Sequence, residues 1–282
     1  MGALLDLPPE LLGLIAGHLH DDKAALRSFS LVSRASLQPS QAQLFKDIKM
    51  QFGRTQLYAT FGKAEEMPTR VPLDYIGTQV LSYTRTLSLY TIYCPLVLPQ
   101  HLDDILDRLI AFKNVRQLEA FLFATHYVRH PLASHAHYFG TFQPTLRSLN
   151  LKTCLTNPWD LITFIAFFPL LEDITIQVNN PYSPSEFPEN KREGFEPAAL
   201  SFRGSLRLCE FCQANTFVLE LVKSRVQYHT LSFRNVTAWM GIRELIAACA
   251  PTLRVLDFFA FSCGFLSLLS SHSAVYCGCL TP

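Results

Sequence analysis

The chain has 282 residues, 49% hydrophobic and 17% charged, with a formal net charge of +1 at pH 7. So small a net charge provides no global basic field to steer a polyanion, and no dense Lys/Arg cluster is interleaved with aromatic residues, so no nucleic-acid partner is expected. No apolar run approaches the ~20 residues that span a bilayer, and the first one lacks a basic leader and is broken by Asp6, Pro8, Pro9 and Glu10. The expectation is an intracellular protein, cytoplasmic or nuclear, with no membrane attachment.

In chain order, Pro8 and Pro9 suit the first turn of a helix, where an amide has no intrahelical acceptor in any case. Leu11, Leu12, Ile15 and Leu19 then recur at helical spacing, and Asp21 or Asp22 offers the next N-cap. Ala25, Leu26 and Phe29 continue on a second helix, and Leu44, Phe45 and Ile48 form a third apolar cluster after Pro39. A module of three short helices over 1–48 is too small to bury all of this alone.

The order Leu7, Pro8, Glu10, Leu11, Ile15, Leu19, Leu31, Val32 resembles the F-box, whose hallmarks are a leucine-proline start, a glutamate-leucine pair, a spaced isoleucine and leucine, and a later leucine-valine pair. The family usually continues with a cysteine and, three positions later, a tryptophan, where this chain has Ser33 and Ser36. The resemblance implies that Leu7, Pro8, Leu11, Leu12, Ile15, Leu31 and Val32 contact a Skp1-like adaptor, and through it a cullin-RING ligase.

Residues 49–83 read as a linker, and 84–261 as an internal repeat of the form apolar-x-x-apolar-x-apolar followed by a loop and a helical segment. The clearest copies are PTLRSLNL, with Leu146, Leu149 and Leu151, and PTLRVLDF, with Leu253, Leu256 and Phe258. Final core positions at 89, 120, 151, 176, 208, 233 and 258 lie 25 to 32 residues apart, close to the about 20 to 29 of leucine-rich repeats. Leu102, Ile105, Leu106, Leu109 and Ile110 make a helix face, as do Leu161, Ile162, Ile165 and Phe168, then Phe217, Leu221 and Val222, then Ile242, Leu245 and Ile246.

The fold class expected is therefore α/β: a short three-helix F-box followed by an irregular leucine-rich-repeat solenoid with a parallel inner sheet. The combination resembles a large class of fungal F-box proteins. A compact α/β enzyme is the alternative that irregular spacing leaves open. In the solenoid register, Ser88, Glu119, Asn150, Thr175, Arg207, Ser232 and Asp257 share one open row. Tyr90, Phe121, Lys152, Gln177, Cys209, Arg234 and Phe259 share the next. Aromatic and arginine anchors suit protein recognition, so Tyr90, Phe121, Lys152, Arg207, Arg234 and Phe259 are the candidate target-binding residues, the target itself being unknown.

The segment 179–201, dense in proline and charge, reads as a long mobile loop, with Ser183 and Ser185 open to modification, and 262–282 as an atypical apolar tail in place of a polar cap. No G-x-S-x-G, GxxxxGK[ST] or HExxH motif is present, so no catalytic residue is assigned. His126, His130, His135 and His137 read as a polar loop, since Tyr127 stands where a zinc protease has glutamate and Pro131 breaks the helix. The pairs Cys209/Cys212 and Cys277/Cys279 are far apart in sequence, and the scattered cysteines read as reduced thiols. No metal or cofactor is expected. The function expected is substrate recognition in an SCF-type ubiquitin ligase, or, alternatively, a ubiquitin-independent interaction scaffold.

Overall fold

The computed structural model describes residues 7–52, 57–61, 69–91, 106–123, 132–154, 158–178, 204–209, 214–224, 226–234 and 239–259. The chain divides into two compact units, Met1–Gln117 and Leu118–Pro282. Both combine helices with β-strands, and most of the strand pairs are parallel.

The first unit opens with α1 (Pro9–His18), whose first turn is occupied by proline and whose Leu11 and Leu12 amides donate to the Pro8 carbonyl at 3.0 and 3.2 Å. In α2 (Lys23–Ser30) the Asp22 carboxylate caps the helix by accepting the Ala25 amide at 2.9 Å. The third helix, α3 (Arg34–Leu44), begins ahead of Pro39 and runs through it. The apolar cluster expected after Pro39 is thus divided, Leu44 ending the helix and Ile48 belonging to a strand. Leu12, Ala16, Leu26 and Phe29 form the module's core, with Leu7, Ile15, Leu19 and Leu44 packed around it.

The segment expected to be a linker is structured instead. It holds β1 (Asp47–Phe52), β2 (Leu57–Phe61), β3 (Thr69–Pro72) and the short α4 (Thr78–Leu81), and β4 (Thr86–Thr91) follows. The strand order is β4-β1-β2-β3, with β1 parallel to β4 and antiparallel to β2. Ile48 lies beside Leu87 and Met50 beside Leu89, all buried. Alternation over so few residues becomes a strand only when a partner 39 positions later supplies the other half of the layer. An ion pair between Arg108 and Asp74 adds to this unit, and the guanidinium hydrogen bond holds the Asp74 carboxyl below its ordinary value.

The second unit contains β5 (Gln117–Phe123, entering at its first residue from the unit boundary), a 3-10 segment (Leu132–Phe142), β6 (Ser148–Cys154), α5 (Pro158–Ala166), β7 (Asp173–Val178) and β8 (Ser205–Cys209). It continues with α6 (Ala214–Lys223), β9 (Thr230–Arg234), α7 (Trp239–Cys249) and β10 (Val255–Phe259). The strands lie side by side in sequence order, and every pair from β6 to β10 is parallel. Parallel neighbours joined by crossovers of one hand place their helices on one face of the sheet.

Register makes the repeat visible. Leu149, Ile174, Leu206, Leu231 and Leu256 form one line across the sheet, and Leu151, Ile176, Leu208, Phe233 and Phe258 the next. Against such a layer the helices bury Leu161, Ile162 and Ile165 from α5, Phe217, Val218 and Leu221 from α6, and Ile242 and Leu245 from α7. Phe139, Phe142, Phe164 and Phe168 add a chain of edge-to-face contacts with centroids 5.3 to 5.7 Å apart. Burial raises the pKa of the Tyr228 hydroxyl and the Cys249 thiol, so both stay neutral in this core.

The two PTLR sequences form the same turn. In one, the Thr145 and Leu146 amides both donate to the Phe142 carbonyl, at 2.9 and 2.8 Å; in the other, Thr252 and Leu253 both donate to Cys249, at 2.9 Å. Successive strands then start on a shared acceptor. The Arg147 carbonyl takes the Glu172 and Asp173 amides, Gly204 takes His229 and Thr230, and His229 takes Arg254 and Val255. The same device occurs in the first unit, where Lys46 accepts from Arg85 and Thr86. Gly204 enters β8 so close to the Glu172 backbone that a Cβ would overlap its carbonyl.

Two substitutions separate these contributions. Leu208→Ala removes a fully buried side chain from the layer and should cost about 2–4 kcal/mol in urea unfolding. Gly204→Ala forces backbone against backbone and should lower the midpoint although it adds only a methyl group; an unchanged midpoint would show that the strand start can yield.

Candidate functional site

Two surfaces carry the candidate residues, one in each unit, and each begins with what its own core leaves over. On the helical module, Leu12, one of the positions expected to contact an adaptor, is fully buried in the core together with Ala16. The helical period explains this, since α1 has only one inward stripe and Leu12 and Ala16, four apart, occupy it. Leu7 and Ile15 are half-buried against the same core. Pro8 is exposed, and Leu11, Leu31 and Val32 are 43%, 85% and 51% exposed. Leu14 and Leu37 are also exposed, at 61% and 41%. Neither was singled out in the sequence, because which leucines a helix leaves exposed depends on what packs against it.

Ser33 and Ser36, the departures from the F-box pattern, have a local structural role. The Ser33 hydroxyl accepts the Ser36 amide at 3.0 Å, and the Ser36 hydroxyl accepts the Ser33 amide at 3.1 Å, closing a reciprocal capping box at the start of α3. Ser36 is fully buried and its hydroxyl reaches the Phe29 carbonyl at 2.8 Å, joining α3 to the end of α2. These bonds set the turn that presents Leu31 and Val32 to solvent.

The second surface is the sheet face opposite the buried lines. In the second unit Asn150, Thr175, Arg207, Ser232 and Asp257 stand in register, and Lys152, Gln177, Cys209, Arg234 and Phe259 form the neighbouring row. Arg207 and Arg234 are exposed. Lys152 is half-buried and lies 3.7 Å from Glu119, which also accepts the Asn150 side-chain amide at 3.3 Å. Phe121 and Phe259 belong to β5 and β10, but their side chains lie outside the described part of the structure. Tyr90, in the first unit, is half-buried in β4 beside Gln51 of β1.

Among the described residues no group of three or more His, Cys, Asp or Glu side chains is arranged to hold a metal ion, and no helix is long and apolar enough to cross a membrane. His137 is exposed and rests on the Tyr138 ring, with centroids 3.8 Å apart, in the 3-10 segment that replaces the loop expected there. His126, His130, Cys212, Cys277, Cys279, the segment 179–201 and the tail 262–282 lie outside the described residues. Compared with family models, with curated proteins and with solved structures, the chain finds no match.

The capping box supplies a direct test. Ser33→Ala should destabilise the helical module by about 1 kcal/mol through loss of the cap. Ser36→Trp, which installs the residue usual in the F-box, forces an indole into a fully buried site and should cost about 3 kcal/mol or more. Thermal melts followed by circular dichroism measure both; a melting temperature unchanged by Ser36→Trp would mean that α3 can shift to make room.

Proposed function

We propose that the chain is a non-catalytic substrate-recognition subunit of an SCF-type ubiquitin ligase. Its N-terminal F-box-like helices bind a Skp1-like adaptor, and through it a cullin-RING ligase, while a leucine-rich-repeat solenoid holds a target protein. The observation that carries this reading is the surplus of apolar surface on the helical module. Among the described residues its buried core is Leu12, Ala16, Leu26 and Phe29, while Leu11, Leu14, Leu31 and Val32 remain 43% to 85% exposed. Large apolar side chains left outside a finished core mark a contact surface for another protein.

The parallel register and the repeated strand-entry hydrogen bonds support the solenoid half of the reading. An open sheet face with arginines and polar side chains can receive a target segment by side-chain contact. The role is proximity: target and ubiquitin-loaded enzyme, held in one assembly, react at an effective concentration that free diffusion does not reach. No side chain of this chain acts as acid, base or nucleophile.

The test is binding of purified Skp1-type adaptor to the full chain and to Leu11→Asp and Leu31→Asp. Both positions are exposed, so the variants should keep the wild-type circular dichroism spectrum and melting temperature. Each should weaken adaptor binding by about 30-fold, the effect of removing one interface anchor worth about 2 kcal/mol. Full affinity in both folded variants, or no binding by the wild type, removes the adaptor role and leaves a ubiquitin-independent interaction scaffold.

A further inference from the structure

The geometry points to a phosphate-monoester binding site on the open sheet face of the second unit, formed by Arg207, Ser232 and Arg234. It goes beyond the target-receptor reading and does not require the adaptor.

The two arginines project from adjacent strands on one face. In β8, Leu206 and Leu208 are buried and Arg207 between them is exposed; in β9, Leu231 and Phe233 are buried and Arg234 is exposed. Register sets Arg207 directly beside Ser232 and Arg234 beside Cys209. Arg207 and Arg234 are thus diagonal neighbours, with Cα atoms about 8 Å apart. Arms of that length on one face can bring both guanidinium groups to a single small ligand.

Neither arginine has an ion pair or hydrogen bond within the described structure, in contrast to Arg108 with Asp74, Arg147 with Glu172, and Lys152 with Glu119 on the same sheet face. Two like charges side by side repel, and an anion between them relieves that repulsion. Directly beside Arg207, and two positions before Arg234 on β9, lies Ser232, only 2% exposed, whose hydroxyl has no hydrogen-bond partner. A buried hydroxyl left unpaired is unfavourable, and it becomes a donor once an acceptor reaches it.

The donor set discriminates between anions. One guanidinium fork satisfies a carboxylate, whereas a phosphate monoester carries nearly two negative charges and three free oxygens, matching two forks and a hydroxyl. The half-buried Asp257 stands on the far side of Ser232 in the same row and opposes an anion there. Its effect therefore has a defined sign.

The experiment is calorimetric titration of the full chain, at constant ionic strength, with inorganic phosphate, with a short phosphoserine peptide, and with its aspartate counterpart. Saturable binding of the phosphate probes is expected, with the aspartate peptide weaker by at least tenfold. Arg207→Gln and Arg234→Gln should each weaken phosphate binding about tenfold, Ser232→Ala should weaken it severalfold, and Asp257→Asn should tighten it. Tighter binding of the phosphopeptide than of inorganic phosphate assigns the site to a phosphorylated protein, and equal binding assigns it to a small phosphorylated molecule. The exposed arginine variants leave the core untouched, so melting temperature serves as the folding control. No binding of either phosphate probe by the wild type, or binding unaltered by both arginine substitutions, overturns the site.

Discussion

Lateral stacking of buried side chains along a parallel register is the constraint on which the second unit depends. A single strand of five or six residues places only two or three side chains on one face, far too few to offset the entropy of ordering it. Leu206 and Leu208 become a core only because Ile174 and Ile176 lie on one side and Leu231 and Phe233 on the other. The shared carbonyl acceptors at the strand entries fix that register, because a one-residue slip would turn every leucine to the opposite face. Gly204 belongs to the same constraint, since its missing side chain lets β8 start against the Glu172 backbone.

The open face follows from the same geometry. Once the leucines are committed to the buried layer, the residues between them must face away from it, whatever their chemistry. Arg207 and Arg234, 27 residues apart in sequence, are brought close by the registration of two adjacent strands. Elsewhere on the face, Lys152 pairs with Glu119, which also accepts the Asn150 side-chain amide. The repeat therefore supplies a regular frame, and the substitutions within it decide where charge is spent internally and where it remains available.

In the helical module the ordering principle is different. Small size limits it to one compact cluster, and α1 cannot bury all its leucines in that cluster. Ser33 and Ser36 hold the start of α3 through a reciprocal cap of two hydroxyls, without adding apolar volume. The resulting surface is richer in exposed leucine than a module of this size needs for its own stability, and this connects its folding physics to the partner proposed for it.

Helix starts, strand alternation and the repeat were legible in the sequence because each depends on neighbours a few residues away. Pro8 with Pro9 is a case in which the local chemistry specified the backbone, and Asp22 is the one of two candidate caps that holds the next helix. The alternation also sorted Arg207 and Arg234 from the leucines beside them. Three matters were decided by tertiary structure. The stretch after residue 48 became strands rather than a linker because β4 provided a parallel partner distant in sequence. Leu12 turned inward and Leu14 outward because which leucines a helix buries depends on the helices packed against it, and apolar character alone does not distinguish the two. The unpaired hydroxyl of Ser232 beside Arg207 and near Arg234 exists only in the assembled sheet, since register and burial are properties of several strands together.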